Sequence, residues 1–482
     1  MAGKINRFFL IAVIILAAGL RLFWLDRVPP ALNWDEAAIG WNAKTIWKLR
    51  VDEFGNRLPV SFRSFGDYKA PLYIYLTAPV VGIFGNTEIG VRLVSVIAGV
   101  TSVVLMYFIG GPAAAGLLAI SPWHILLSRP ALEANLALMW ILGGVWLFLR
   151  GTKRPVWLIA SAVSFIFSLY SYQSPKIFVP VFVLGLIIIY WSSLKRALVW
   201  LALAGIVAAV AITPLIKDGF GAGGRRFQMT SVFYQSKDNL PLTLVKNYLV
   251  HWSPQWLFLS GGETGRSQMR QIGMLLMVTA PFLVLGLIQL WKKRQDSWSK
   301  VLFWWLLAAP LPAMIGFDVP HPIRSYQLLP VLIIITAMGL SKITARPRAT
   351  LVYGLIAINA LFFLYHYFVT YPVESAPQWQ YGYKQAAALA QEHEDEVDKV
   401  IITSYYGQPY VFTYWYQDRD PQAIFWGGAI KYLFRTIRLD GDMLLPNTLL
   451  IGAPAEIPEG ASGIIKEIYF PDGKVAFRVV KT

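Results

Sequence analysis

The sequence predicts a polytopic α-helical membrane protein of about eleven transmembrane helices, with a re-entrant or interfacial helix in an outer loop and a small C-terminal α/β domain. Three observations carry that expectation. Hydrophobic residues fill 56% of the 482 positions and charged residues only 15%, giving a mean hydropathy of +0.51. The apolar residues gather into runs that approach the roughly 20 needed for a helix to cross a hydrocarbon core. Beyond Tyr371 these runs give way to the acidic EHEDEVD of 392–398 and the short strand-like stretches VIIT, 400–403, and TLLIG, 448–452.

Charge and cysteine content narrow the class. A net charge of +16 would point to nucleic acid in a soluble chain, but a membrane protein collects Lys and Arg in its cytoplasmic loops for topological reasons, so no nucleic-acid partner is expected. The chain contains no cysteine, which excludes disulfides, thiolate metal sites and a cysteine nucleophile.

In chain order, Lys4 and Arg7 precede an apolar run from Phe8 to Trp24. Its LAAGL segment lacks a small-x-small cleavage site, so the run is expected to be an uncleaved first span with its N-terminus inside. The mixed stretch Asp26–Thr87 follows, with Pro29, Pro30 and a turn at 52–56. Within it the apolar run 72–85 is interrupted by Pro79 and Gly82, which suits a re-entrant or interfacial helix better than a full span. Spans are then expected at 88–109, 112–127, 131–149, 155–171, 176–191, 195–216, 271–291, 299–316, 326–340 and 350–370. This parity puts the loops carrying Lys153 and Arg154, Lys195 and Arg196, Lys292, Lys293, Arg294 and Lys300, and Lys342, Arg346 and Arg348 all inside. Counting 72–85 as a span would put every one of them outside.

The domains expected are therefore a transmembrane domain at 1–370, with outer loops at 26–87, 217–270 and 318–324, and an extracytoplasmic accessory α/β domain at 371–482 that ends in a hairpin around Phe470–Lys474. Short turns at 128–133 and 172–175 also face outward. No internal repeat of fixed period is visible, which weighs against an inverted-repeat transporter.

The stretch Asn33–Arg50, NWDEAAIGWNAKTIWKLR, places two adjacent carboxylates just past the first span. Asn33 has the character of a helix N-cap and Glu36, three residues on, of its capping-box partner, so a helix is expected from Trp34 towards Leu49. Glu36 then serves stability. Asp35 is left in the first turn, where the positive end of the helix dipole favours its ionised form, and an ionised carboxylate can act as a base. Caps are far commoner than catalysts, and only the wider setting argues for chemistry. That setting is a collection of polar residues on the outer side: Arg63, Tyr68, Lys69, Arg129, Glu133, Arg225, Arg226, His321 and Arg324. Each Lys or Arg alone fits an interfacial residue reaching for lipid headgroups equally well.

Basic groups and carboxylates at an outer membrane surface suggest a reaction in which a lipid-linked phosphate leaves. A sugar on a lipid phosphate needs little acid catalysis to depart once cations neutralise the anion, so one base suffices, whereas ordinary glycoside hydrolysis usually asks for two carboxylates. Asp35 would deprotonate an acceptor hydroxyl while Lys69, Arg129 and Arg324 hold the phosphate.

Across about residues 1–370 the chain resembles the C superfamily of integral-membrane glycosyltransferases. The likeness is to the family-39-like relatives of the protein mannosyltransferases and the lipid A aminoarabinose transferase. The residues that carry it are WDEAAIGWNA after the first span, DYKAPLYIYL, RLVSVIAG, SPWHILLSRPALEAN and HPIRSYQLLP. The resemblance implies a polyprenyl-phosphate-linked monosaccharide donor, a protein, lipid or glycan acceptor, and transfer with inversion. It implies Asp35 as base, with Glu36 the alternative in the same loop. It also implies Tyr68 and Lys69 at the carrier phosphate, and Glu133 as the acid of the second outer turn, where many relatives carry Asp. His321, Arg225 and Arg226 complete the candidate substrate-binding set. No cofactor is expected, and a divalent metal stays open. The oligosaccharyltransferase branch, with its WWD motif and metal, is a poorer match, and no WWD occurs here. The setting implied is a prokaryotic plasma membrane with active site and C-terminal domain outside.

The alternative is a transporter or flippase of a lipid-linked or anionic substrate. It would place ionisable residues near the midplane, and the apolar runs are nearly free of them. A purely scaffolding role leaves the outer charge cluster unexplained. The topology is directly testable: a reporter fused after the 71–85 segment and one within Lys292–Lys300 are expected on opposite sides of the membrane, and cytoplasmic signals from both would show that the segment spans.

Overall fold

The structure is a computed structural model that describes residues 6–219, 224–235, 239–263, 265–343, 345–428 and 430–482, the side chains of 225–227 and 235 lying outside that description. The first nine helices are α1, Arg7–Leu22; α2, Trp34–Leu49; α3, Pro71–Phe84; α4, Glu88–Gly110; α5, Pro112–Ala119; α6, Pro122–Ser128; α7, Glu133–Gly151; α8, Trp157–Ser171; and α9, Pro175–Ile189. Strands β1, Phe62–Ser64, and β2, Asp67–Lys69, form a hairpin between α2 and α3. Further helices include Leu198–Gly219, Leu240–Val250, Ala280–Lys292, Ser297–Ala308, Leu328–Leu340 and Arg346–Tyr365.

The protein is an integral membrane protein. Among the described residues four helices are long and apolar enough to cross a bilayer: Glu88–Gly110, Glu133–Gly151, Leu198–Gly219 and Arg346–Glu374. The last two expose most of their apolar surface, with Val199 and Val210 about 70% accessible and Ile358 and Leu361 at 65%, as suits side chains solvated by lipid tails. Other expected spans are shorter: α3, α8, α9, Met277–Lys292 and Leu328–Leu340 are apolar helices below that length. Two are broken. The run 112–127 divides into α5 and α6 around Ser121, which caps α6 by accepting from the His124 N–H, and 299–316 stops at Ala308 before a short turn of helix at Leu311–Met314. The breaks coincide with Pro122, Pro310 and Pro312, which lack the N–H that helix continuation requires.

The chain divides into two compact units. One comprises Met1–Phe23, Val60–Tyr73 and Val94–Leu364, and the other Trp24–Pro59, Ile74–Leu93 and Tyr365–Thr482. The second unit is thus more than the C-terminal segment expected from the composition change at 371, because α2 and its flanking loop belong to it.

In the first unit, helices Ala280–Lys292 and Leu328–Leu340 approach closely through glycines. A Cβ on Gly286 would lie 1.8 Å from the Ile335 carbonyl oxygen, and one on Gly339 would lie 1.9 Å from that of Phe282. Without a hydrophobic drive between helices in lipid, such backbone approach supplies the packing.

In the second unit, β3, Lys399–Ile402; β4, Tyr432–Phe434; β5, Thr448–Gly452; β6, Ile464–Tyr469; and β7, Val475–Lys481, form a mixed sheet in the order β4-β3-β5-β7-β6. The central strands β3 and β5 are parallel and read as unbroken apolar runs because both faces are covered. Ile401, Leu450 and Val480 pack with Ile437 and Ile457 in one cluster. Tyr383 stacks on Phe412, with ring centroids 4.7 Å apart and planes 8° apart, and meets Phe477 at 5.0 Å. The β6–β7 turn falls at 470–474, where the Phe470 N–H donates to the Lys474 carbonyl. Helix α2 is fastened to the C-terminal residues by Lys44 to Asp418 at 2.6 Å and Lys48 to Asp420 at 3.0 Å, and Trp415 packs against Gly40.

Gly286→Val is expected to destabilise by about 1–3 kcal/mol, the usual cost of overpacking a close contact. Gly205→Ala, where a Cβ meets nothing within 4 Å, should be neutral. Thermal melting of both purified variants checks the contrast.

Candidate active site

The second unit holds the acidic pair. The Asn33 side chain accepts hydrogen bonds from the Asp35 and Glu36 N–H groups at 2.8 and 3.2 Å, while Glu36 Oε2 accepts from the Asn33 N–H at 3.2 Å, so the capping box is complete and α2 begins where its signature predicts. Glu36 does more than cap. It is fully buried, and Arg92 of α4, also fully buried, donates from Nε to Oε1 at 2.9 Å and from Nη2 to Oε2 at 3.1 Å. The remaining Arg92 donors go to the carbonyls of Leu25, Pro29 and Ala31 at 2.8, 3.1 and 2.6 Å, so all five guanidinium N–H groups are used. Both oxygens of Glu36, expected as the alternative base, accept hydrogen bonds from Arg92 or the N-cap.

Asp35, one residue earlier, is half-buried, and its Oδ2 accepts the Trp34 indole N–H at 3.1 Å. Trp34 is itself held, its backbone N–H donating to Gln380 Oε1 and its ring lying where a Cβ on Gly407 would be only 2.2 Å away. Gly407 has φ +140°, a conformation that also favours glycine. Asp35 is therefore oriented by a packed neighbour.

The first unit holds the cationic candidates. The β1–β2 hairpin turns through Phe65 and Gly66, both with positive φ at 53° and 82°, as in the two-residue turns that match strand twist. The register pairs Phe62 with Lys69 and Arg63 with Tyr68, so alternation places Lys69 on the buried face with Phe62 and Ser64, and Arg63 and Tyr68 on the other. Lys69 is 4% exposed, its Nζ 5.6 Å from the Phe65 ring centroid. Tyr68 and Lys69, expected to act together, are thus split between two faces.

Arg129, expected to hold the phosphate, lies beside the end of α1. It is fully buried, donating to the carbonyls of Leu20 and Phe23 at 2.6 and 2.7 Å, where a cation satisfies the orphan acceptors at the end of α1. Glu133 is the first residue of α7, at the positive end of its dipole. The side chains of Arg225 and Arg226, in the short helix Gly224–Thr230, lie outside the described residues.

His321 braces the turn that carries Arg324. Its backbone N–H donates to His251 Nε2 at 3.1 Å, and its Nδ1 accepts the Arg324 N–H at 3.3 Å. His251 donates from Nδ1 to the Asn247 carbonyl at 2.7 Å, and burial pulls it down to about 4, so it stays neutral with one nitrogen left to accept. Asn247 in turn donates to the carbonyls of Met314 and Gly316. Gly316 admits the guanidinium of Arg324, whose Nη1 would lie 2.1 Å from a Cβ there.

Arg324 lines a cavity of about 390 Å³ with Tyr172, Gln173, Lys176, Thr230 and Tyr234. Its Nη1 is buried and has no hydrogen-bond partner among the described residues. A buried guanidinium nitrogen of this kind asks for an anion or other acceptor. Sequence reasoning found Arg324 and marked 172–175 as an outer turn, but missed Lys176, which sits one position beyond it in an apolar helix, and missed Arg92. The signal for both was a basic residue inside an apolar run. Among the described residues no three His, Asp or Glu side chains converge on a common point.

Replacing Glu36 by Gln or Arg92 by Met is expected to cost about 3–5 kcal/mol each, because either change strands a buried charge or its partner acceptors. The double variant should be less destabilised than the sum. A double-mutant cycle on thermal or denaturant unfolding measures the coupling, and additive losses would show that the pair does not interact.

No protein-family model matches the chain, and no curated protein sequence does. Solved structures share its fold. ArnT from Cupriavidus metallidurans in the apo state superposes with a TM-score of 0.58 at 12% identity, covering 98% of this chain and 97% of that one. The same protein bound to undecaprenyl phosphate gives 0.57 at 12% identity over 100% and 98%. The oligosaccharyltransferase AglB from Archaeoglobus fulgidus, in complex with an inhibitory peptide and a dolichol-phosphate, gives 0.51 at 12% identity, covering 98% of this chain and 74% of that one. The chain has the C-type fold of membrane glycosyltransferases over its whole length.

Proposed function

We propose that this protein transfers a sugar from a polyprenyl-phosphate carrier to a nucleophile, most simply a hydroxyl, of an envelope acceptor on the outer side of the membrane. The observation that carries this reading is the cavity of the first unit, lined by Tyr172, Tyr234, Lys176 and Arg324, where Arg324 keeps a buried Nη1 with no hydrogen-bond partner among the described residues. Two solved structures of the same fold hold a polyprenyl phosphate, undecaprenyl phosphate in one and dolichol-phosphate in the other, which supports a carrier phosphate as the anion.

The chemistry then follows from charge. The acceptor O–H gives its proton to the Asp35 carboxylate as its oxygen forms a bond to the anomeric carbon. The bond from that carbon to the phosphate oxygen breaks, and its electron pair leaves on the carrier phosphate. Cations offset the charge that develops on the leaving phosphate, so protonation of that oxygen is not required. A single displacement of this kind inverts the anomeric centre. Lys69, Arg324 and Lys176 are assigned to the phosphate. Glu36 and Arg129 are left out of the reaction, since their polar atoms serve helix ends and an ion pair.

Asp35→Asn is expected to keep the fold and donor binding and to lose transfer by about 10²–10⁴, the range for removing a general base. Arg324→Ala and Lys69→Ala should instead raise the KM for the lipid-linked donor. Assays with a panel of polyprenyl-phosphate sugars on the purified protein check both. Full activity in Asp35→Asn would move the base to Glu133, and unchanged donor affinity in both alanine variants would place the phosphate elsewhere.

A further inference from the structure

A second cavity, of about 240 Å³, lies within the second unit, bounded by Trp41, Glu53, Phe54, Tyr410, Tyr414 and Phe425. It is smaller than the roughly 300–1,000 Å³ of pockets for drug-sized ligands, so it admits one ring rather than an extended chain. Its walls are aromatic. Trp41 and Tyr414 stand 5.3 Å apart at 48°, and Tyr410 meets Tyr414 edge-on at 5.8 Å and 67°. Phe54 and Phe425 are nearly half-exposed at the rim, at 46% and 44%.

The polar groups are few and fixed. The Asn42 side chain receives the Glu53 N–H and donates to Glu53 Oε1, both at 3.0 Å, which sets the carboxylate in the wall. Burial, helped by the Glu53 charge, pushes the Tyr414 phenol above its ordinary value, so it remains a hydroxyl that can donate. Lys44 lies 5.8 Å from the Trp41 ring centroid, but its ammonium is taken by Asp418 and the Arg419 carbonyl, both at 2.6 Å.

We infer that this cavity binds a pyranose ring of the acceptor, neutral or amino-substituted, so that the acceptor is itself a saccharide or carries one. The identification of the ring as the acceptor's rests on the transferase reading above, whereas the binding of a pyranose does not. The ring of a sugar offers one face of C–H groups made electropositive by neighbouring oxygens, and aromatic faces carry the complementary negative quadrupole. Its hydroxyl rim needs a few placed acceptors and donors, which Glu53 and Tyr414 provide. An acyl chain would leave the carboxylate desolvated against hydrocarbon, an expensive arrangement. A uronic acid would set a second carboxylate against Glu53.

The test uses the full-length protein in lipid nanodiscs without glycoside detergent and saturation-transfer NMR with methyl β-glucopyranoside, methyl β-glucuronide and cyclohexylmethanol as probes. The expected result is transfer to the glucoside ring protons, several-fold weaker transfer to the glucuronide, and at least a fivefold drop in the glucoside signal in Phe54→Ala and Phe425→Ala, whose rim positions spare the fold. No transfer to the glucoside, equal signals from glucoside and glucuronide, a stronger signal from cyclohexylmethanol, or an undiminished signal in both variants each overturns the inference. Consumption of lipid-linked donor by the same preparation is measured in parallel. A protein that binds the glucoside but consumes no donor sinks the transferase reading and leaves the pyranose site standing, and the reverse outcome sinks the site alone.

Discussion

The Glu36–Arg92 ion pair is the constraint around which the second unit is built. A carboxylate and a guanidinium with no exposed side-chain surface are stable together only if every remaining donor and lone pair is met, because desolvating either ion costs several kcal/mol. Here the surplus donors of Arg92 tie down the carbonyls of Leu25, Pro29 and Ala31, the segment that leads into α2. The same pair therefore fixes the entry to α2 and its first turn. Asp35 inherits a defined position from a neighbour that takes no part in the proposed chemistry.

Four arginines of the helical region divide by what they meet. Arg21 donates to the carbonyls of Ala17 and Ala119 and to His124 Nδ1, Arg129 to those of Leu20 and Phe23, and Arg92 to three carbonyls and a carboxylate. Each sits at a helix end or break, where backbone acceptors lack intrahelical partners and no water is at hand to satisfy them. Arg324 differs, for it lines a cavity and its buried Nη1 has no hydrogen-bond partner among the described residues, its backbone is held by His321, and the turn beneath is held by His251 and Asn247. A rigid support behind an unsatisfied donor is what preorganised anion binding requires. Arginines that look alike in sequence thus separate into braces and a candidate binder.

The transport alternative finds little support in this division. Ionisable residues do enter the apolar helices, contrary to a reading of the runs as nearly free of them, but Arg21 and Arg92 occupy the last turn of α1 and the first turns of α4, pinned by carbonyls. A charge committed in this way does not line a route.

The sequence by itself determined the local features. The Asn33-x-x-Glu36 spacing set the start of α2, the apolar TLLIG set β5, and Phe470–Lys474 set the β6–β7 turn, because capping, apolar runs and turn chemistry act over a few residues. The adjacent carboxylates of α2 and the candidate basic residues were visible for the same reason. Only the tertiary structure decided which of them are spoken for. The Arg92 that neutralises Glu36 is 56 residues away and the carbonyls that occupy Arg129 lie 106 and 109 residues away. Lys176 joins Arg324 at one cavity across nearly 150 intervening positions. The breaks in the helices expected at 112–127 and 299–316 were signalled by prolines, but hydropathy averaged over a window blurred them. Hydrogen bonding and charge pairing are decided by distance in space, and no local pattern records which partner the fold will bring within 3 Å.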